Sequence, residues 1–250
     1  MWVKMIKKAK YMSWLIFAVI TFLIFVVLQI PASWLVAKFY KNNNSLHNVS
    51  GNFWSGQADW QNGQLRGTIT WDYRPLDLLL LKVAANTEIR TGTTQLNGIV
   101  GYQFGNITAQ SVKGSIAPET LSTLQAWQWP NTRIQVNHLN LKYNKSSGFE
   151  SANGDFQWGG GELIYHYLER QEKMNVPSLK GSFVSDNGKL ILDVRDQRDQ
   201  KLAYLALDAA FMLDTQLTQR LLMNVQSYDG KASMDTYVIS VRQPLITGGF

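Results

Sequence analysis

The sequence predicts a mainly β protein: a single N-terminal transmembrane helix followed by a curved, repeat-built antiparallel sheet with a few short helices. Three observations predict it. Residues 11–37 carry no charged side chain. Beyond residue 42 the chain breaks into short runs of alternating apolar and polar residues, punctuated by Gly, Asn and Asp. Paired glycines recur along those runs at similar spacing.

The apolar stretch from Met12 to Ile30 has 19 residues, with only Ser13, Thr21 and Gln29 polar. At 1.5 Å rise per residue, a helix of that length crosses about 30 Å of hydrocarbon. Lys4, Lys7, Lys8 and Lys10 precede it, and only Lys38 and Lys41 follow closely. The more basic short flank stays in the cytoplasm, so residues 38–250 are expected outside. A cleaved secretory signal shares the basic start, but its apolar core is about 7–15 residues and ends in a small-x-small site. Here Trp34, Leu35 and Val36 stand where small residues would be needed, which favours a retained anchor. Trp14 and Trp34 suit the two interfacial belts, and Pro31 closes or kinks the helix at the outer boundary. The expected division is a cytoplasmic tail over 1–11, the anchor over 12–37, a linker over 38–48 that includes the polar run Asn42-Asn43-Asn44-Ser45, and a β-rich domain over 49–250.

The formal net charge of +6 belongs to the membrane-flanking end. Residues 1–58 hold six Lys and no Asp, Glu or Arg, leaving eighteen basic and eighteen acidic groups for the remainder. A nucleic-acid groove needs a clustered basic surface, so no nucleic-acid partner is expected. There is no cysteine, which excludes disulfides, thiol nucleophiles, thiolate zinc sites and iron–sulfur clusters.

Within the domain, residues 64–71, 95–104, 133–143, 189–194, 202–207 and 236–242 read as strands. In the third of these the alternation slips at Asn137-His138, which predicts a bulge or turn. Asp186-Asn187-Gly188 reads as a tight turn, and residues 196–200 as a polar hairpin tip. Gly51, Gly98 and Gly154 begin similar pentapeptide contexts; Gly67, Gly114 and Gly181 form a second set. The spacing within each pair is 16, 16 and 27 residues, predicting three units near 49–95, 96–151 and 152–250, the third carrying an insertion within 166–178. Short helices are predicted after Arg74-Pro75 and at Pro118, where proline suits a first turn, and over 215–223 with Asp214 as cap. Leu78–Leu81 is too short to span a bilayer and is expected to plug an open end of the sheet.

No chemistry-bearing constellation stands out. His47, His138 and His166 are far apart with no metal-ligand spacing, so neither a metal site nor a cofactor is expected. There is no GxSxG and no Walker loop; Gly159-Gly160-Gly161 lacks the following Lys-Ser/Thr and reads as a turn or bulge. The carboxylates are scattered, so a glycosidase-like pair stays open at this point, but nothing singles out a catalytic residue. Nine tryptophans are unusual, among them Trp54, Trp60, Trp71, Trp127, Trp129 and Trp158. Aromatics on strands are usually core; the sharper alternative is a concave apolar groove for a lipid or a partner strand.

Several stretches carry a resemblance. They are Ile30-Pro31-Ala32-Ser33-Trp34-Leu35, Val49-Ser50-Gly51-Asn52-Phe53-Trp54-Ser55-Gly56, Leu65-Arg66-Gly67-Thr68-Ile69-Thr70-Trp71 and Arg74-Pro75. The ending is similar as well, a short helix over 217–222, Gly230, then a strand to Leu245. Together they resemble the general secretion pathway protein N family of Gram-negative type II secretion systems. The resemblance implies a non-enzymatic, bitopic protein of the inner membrane with a periplasmic domain, working among the clamp protein C, the platform proteins and the secretin. It brings no catalytic residues; Gly51, Trp54, Ser55, Gly56, Gly67, Trp71, Arg74 and Pro75 are its candidate motif positions. The rival expectation is a lipid-binding or lipid-transfer trough like that of the AsmA-like family.

Overall fold

The alternating runs pair in nearly the order in which they occur. A computed structural model describes residues 14–22, 25, 26, 29–39, 45–125, 127–167 and 170–245. The expected tail over 1–11, anchor residue Met12 and linker residues Asn42, Asn43 and Asn44 lie outside the described residues. Residues 14–22, 25 and 26 are helical, and a helix α1 (Ala32–Phe39) follows. Among the described residues, no helix is long and apolar enough to cross a membrane.

Among the described residues fifteen strands follow α1. They begin with β1 (Leu46–Gly51), β2 (Ser55–Asn62), β3 (Leu65–Tyr73), β4 (Val83–Thr91), β5 (Thr94–Gln103) and β6 (Asn106–Ile116). The middle of the domain holds the short helix α2 (Pro118–Leu124), then β7 (Ile134–Asn144), β8 (Gly148–Trp158), β9 (Gly161–Tyr167) and β10 (Arg170–Val176). The last five are β11 (Leu179–Asp186), β12 (Lys189–Asp196), β13 (Lys201–Leu207), β14 (Met212–Thr218) and β15 (Tyr237–Pro244). Thirteen form one antiparallel sheet in the order β1 to β8 and then β11 to β15; β9 and β10 make a separate hairpin.

Period-two alternation sets the two faces of this sheet. On one face Tyr73, Ala85, Val100, Ala109 and Leu141 stand opposite one another across β3 to β7. Phe183, Leu192 and Leu205 extend this apolar face across β11 to β13, in the adjacent row that runs through Leu139 and Gly154. The neighbouring row on the other face is mostly polar, with Asp72, Asn86, Ile99 and Gln110 in register. The phase slip at Asn137-His138 is a register shift between Val136 and His138.

The buried core lies at one end of the strands. There the β9–β10 hairpin and the segment after α3 (Gln219–Leu222) cover the apolar face. Leu163, Met174, Val176, Leu222 and Val225 meet Phe156, Leu179, Val194, Leu202 and Ala203. Trp127, Trp129 and Trp158 also pack here, with ring centroids 5.7 and 6.0 Å apart along the series, so these three aromatics fill core rather than line an open groove. The inserted segment is therefore a core-building hairpin. It starts at Gly161, after a turn in which Gly160 takes φ +67°, five residues before the expected insertion.

Three expectations are corrected. The helix expected over 215–223 is reduced to α3, because residues 212–218 pair as β14 between β13 and β15. Asp214 sits inside that strand opposite Arg242, and the cap is Thr218, whose side chain accepts from the Leu221 N–H. Two flanking strands outweigh one local cap signal. The leucines after Pro75 plug nothing: a 3-10 helix (Pro75–Leu80) carries them, with Leu76, Leu79, Leu80 and Leu81 exposed. Finally, the paired glycines do not mark equivalent units. Gly51 and Gly67 lie on β1 and β3, with all of β2 between them, whereas Gly98 and Gly114 lie on adjacent β5 and β6. What recurs is a packing device: Trp71 lies across Gly56, and Phe156 across Gly181, where a Cβ would collide with the ring. Placing a bulky ring over a facing glycine keeps neighbouring strands close.

Candidate docking surfaces

Most family-like positions gather at one corner of the sheet, where the N-terminal helical segment meets the domain. The Phe53 N–H donates to the Ile30 carbonyl at 3.0 Å, and Pro31 bridges to Asn52. Ala32 is buried beside them, whereas Trp14 and Trp34 are exposed. The stretch from Val49 to Gly56 holds the end of β1, the β1–β2 turn and the start of β2. Asn52 Oδ1 accepts from the N–H groups of Trp54 and Ser55 at 2.9 and 2.8 Å, the self-closing turn that asparagine favours. Gly51 adopts φ +87°, and the space where its Cβ would stand is filled by the Ser55 and Gly56 backbone. Trp54, Phe53 and Tyr73 form an aromatic triangle with centroids 4.8–5.5 Å apart. Burial raises the Tyr73 hydroxyl above its ordinary pKa. The Arg74 N–H donates to the Ala84 carbonyl, its Nε pairs with Asp77 at 2.9 Å, and Pro75 opens the 3-10 helix. Gly67 is the exception: it lies near the other end of β3, under Trp60.

An apolar groove of about 700 Å³ opens between α1 and the sheet. Leu35 and Val36 wall one side, and Phe53, Tyr73, Val100 and Ile107 the other.

The two sheet edges differ. The β1 edge is six residues long, has a register shift between His47 and Ser50, and contacts α1. Bulges and short length blunt strand addition. The β15 edge is eight residues long, shifts register only at its start beside Thr218, and has seven of its eight residues exposed. Ile239 and Val241 stand on its apolar face, opposite Leu217 and Thr215. Among the described residues no strand pairs with its outer side, and such a strand presents a row of N–H and C=O groups to an extended partner.

The polar face satisfies itself. Lys142 pairs with Glu150 at 2.7 Å, Arg195 with Asp193 at 2.8 Å and Lys180 with Asp199 at 3.0 Å. Lys142 holds the Glu150 carboxyl below its usual value, assisted by Ser147, and Lys180 does the same for Asp199. His138 meets Asp155 at 2.7 Å from the neighbouring strand and Asn153 at 2.9 Å. Sequence spacing could not reveal that pair, because its members stand opposite each other on different strands. Among the described residues, no three His, Cys, Asp or Glu side chains come together as a metal-binding group.

The sequence profile of the family described as Type II secretion system (T2SS), protein N matches residues 42–235. No curated protein and no solved structure matches the chain. With the match covering well over half of the sequence, from just before β1 to just before β15, the chain belongs to the type II secretion system protein N family.

Proposed function

We propose that the chain is a non-catalytic, single-pass inner-membrane component of a type II secretion system, whose periplasmic sheet docks other subunits along β15. In this reading residues 1–11 are cytoplasmic, 12–37 anchor the chain, 38–48 link it, and 49–250 form the periplasmic domain. Met12, Trp14, Ile30, Pro31 and Trp34 are its anchor residues, and the corner built by Gly51, Trp54, Ser55, Gly56, Trp71, Arg74 and Pro75 fixes the sheet to the anchor. The apolar character of residues 11–37 and the direct bonding of Ile30 and Pro31 to the β1–β2 turn support that arrangement. The clamp protein C, the platform proteins and the secretin are the expected neighbours.

The observation that carries the docking reading is the longer, exposed β15 edge, in unbroken register from Ile239 to Pro244, beside a short β1 edge that contacts α1. Charge on an edge strand opposes strand addition. The double substitution Ile239→Lys, Val241→Lys is therefore expected to abolish co-purification of the full chain with the assembled secretion machine, while the variant still accumulates and melts normally. Unchanged recovery of the other subunits would count against β15 as the docking edge.

A second reading, lipid binding, draws on the groove beside α1. We propose that the sheet curves toward its apolar face. The Tyr143 hydroxyl donates to the Ala209 carbonyl at 3.2 Å, although β8, β11 and β12 intervene between β7 and β13. A flat sheet would hold those strands about 19 Å apart at its ordinary spacing. If the trough carries lipid, native mass spectrometry of the gently purified full chain is expected to find acyl chains bound, and Val100→Asp to release them. A chain that ejects no lipid from the wild type leaves the scaffold reading alone.

A further inference from the structure

The corner that receives the N-terminal helix belongs to a longer rim, formed where β1, β3 and β5 end and β2, β4 and β6 begin. The register requires this: Gly51 faces Gly56, Ser55 faces Asp72, Val83 faces Tyr102 and Gln103 faces Asn106. Two connections crown the rim beside the corner. The 3-10 turn between β3 and β4 carries Leu76, Leu79, Leu80 and Leu81, and the β5–β6 turn carries Phe104; these five are 68–83% exposed. Gln103 Nε2 donates to the Leu80 carbonyl at 2.7 Å, tying the two connections into one ledge. The turn's single carboxylate, Asp77, is neutralised by Arg74.

Five large apolar side chains on adjacent turns make an unusual patch for a water-facing surface, and their place in the chain identifies what covers it. The residue before Pro31 is hydrogen-bonded to Phe53 on this same rim, so almost no chain separates the ledge from the apolar N-terminal segment. Trp34, exposed on α1, stands at the same end with the ring chemistry that prefers the headgroup zone. At the other end of these six strands the β2–β3 and β4–β5 turns carry Gly63, Gln64, Gly92 and Thr93, with no large apolar residue. Beyond β6 at that end Leu124 is exposed, but the rim gathers five large apolar side chains on adjacent turns, a lopsided distribution as for a body resting on a bilayer.

We infer that the leucine turn and Phe104 dip into the outer leaflet of the anchoring membrane, holding the sheet upright with its strands running away from the bilayer. This rests on the anchor reading above, and the test separates the two. Because the chain has no cysteine, single cysteines can be labelled with the environment-sensitive dye NBD without background. The full chain would be reconstituted in phosphatidylethanolamine–phosphatidylglycerol vesicles, labelled in turn at Leu79→Cys, Phe104→Cys, Ile20→Cys for the anchor and Gln64→Cys for the far end. The expected result is blue-shifted emission and loss of intensity with nitroxide-bearing lipids at positions 79, 104 and 20, and quenching only by aqueous iodide at 64. Lipid quenching at 20 with iodide quenching at 79 and 104 would overturn the ledge and leave the anchor standing. Shielding of 79 and 104 from both quenchers would mean a protein covers them and would equally overturn it. Lipid quenching at 79 and 104 with iodide quenching at 20 would sustain the ledge and sink the anchor.

Discussion

Replacing Gly114 with alanine is expected to lower the stability of the domain by on the order of 3 kcal/mol. Gly114 stands on β6 at a register shift, with φ +144°, a backbone conformation that side chains rarely adopt. A Cβ there would press on the Gln95 carbonyl oxygen and the Leu96 Cα, which are strand backbone and cannot turn aside. Both penalties act together: a strained dihedral, and a collision relieved only by parting β5 from β6. Gly63→Ala separates them. That glycine also has positive φ, +60°, but nothing stands within 4 Å of its missing Cβ, so only the backbone cost of about 1–2 kcal/mol applies. Urea unfolding of the full chain in detergent micelles measures both. Equal losses for the two variants would show that the strand contact at Gly114 is not as close as described.

The second large effect is expected at Leu202. It is 1% exposed and sits in the cluster with Val194, Leu222 and Val225. Leu202→Ala is expected to cost about 2–5 kcal/mol, the transfer of the lost methyls plus the void they leave. For a domain of this size the melting temperature falls by on the order of 10 °C. Leu124→Ala, at a side chain 63% exposed, is expected to stay within about 0.5 kcal/mol of wild type. Scanning calorimetry distinguishes them. A small loss at Leu202 would mean that the far-end cluster collapses around the gap, making it a loose cap rather than a packed core.

The strands that could be read directly are those whose own side chains alternate. Leu190, Leu192 and Val194 announce β12, and Pro75 and Pro118 announce the starts of their helical turns. β2 escaped because Ser55-Gly56-Gln57-Ala58-Asp59-Trp60 has little apolar rhythm; it is a strand because β1 and β3 both pair with it. The second half of β14 reads as the start of a helix because Asp214 mimics a cap, and only the presence of β15 on its far side decides the matter. The motif from Val49 to Gly56 was visible as a pattern, whereas its reason, an asparagine closing a turn under the end of an apolar segment, needs coordinates. The β15 edge and the leucine ledge were not legible at all. Exposure depends on what fails to pack, and a sequence specifies that only through the whole fold. The same logic misled the glycine reading: equal spacings suggested duplication, yet Gly67 and Gly181 share only a facing aromatic ring.

The strand order has a consequence for how the domain is made. Nearly every strand is hydrogen-bonded to its immediate successor, and one hairpin alone intervenes, between β8 and β11. A domain that emerges β1 first could zip onto its own growing margin as each segment appears, with little loop closure to wait for. At every moment of such vectorial assembly the newest strand is the sticky one, and its stickiness ends when the next arrives. β15 has no successor within the described residues, so among them it is β15 that still carries the reactive margin that drives the zippering.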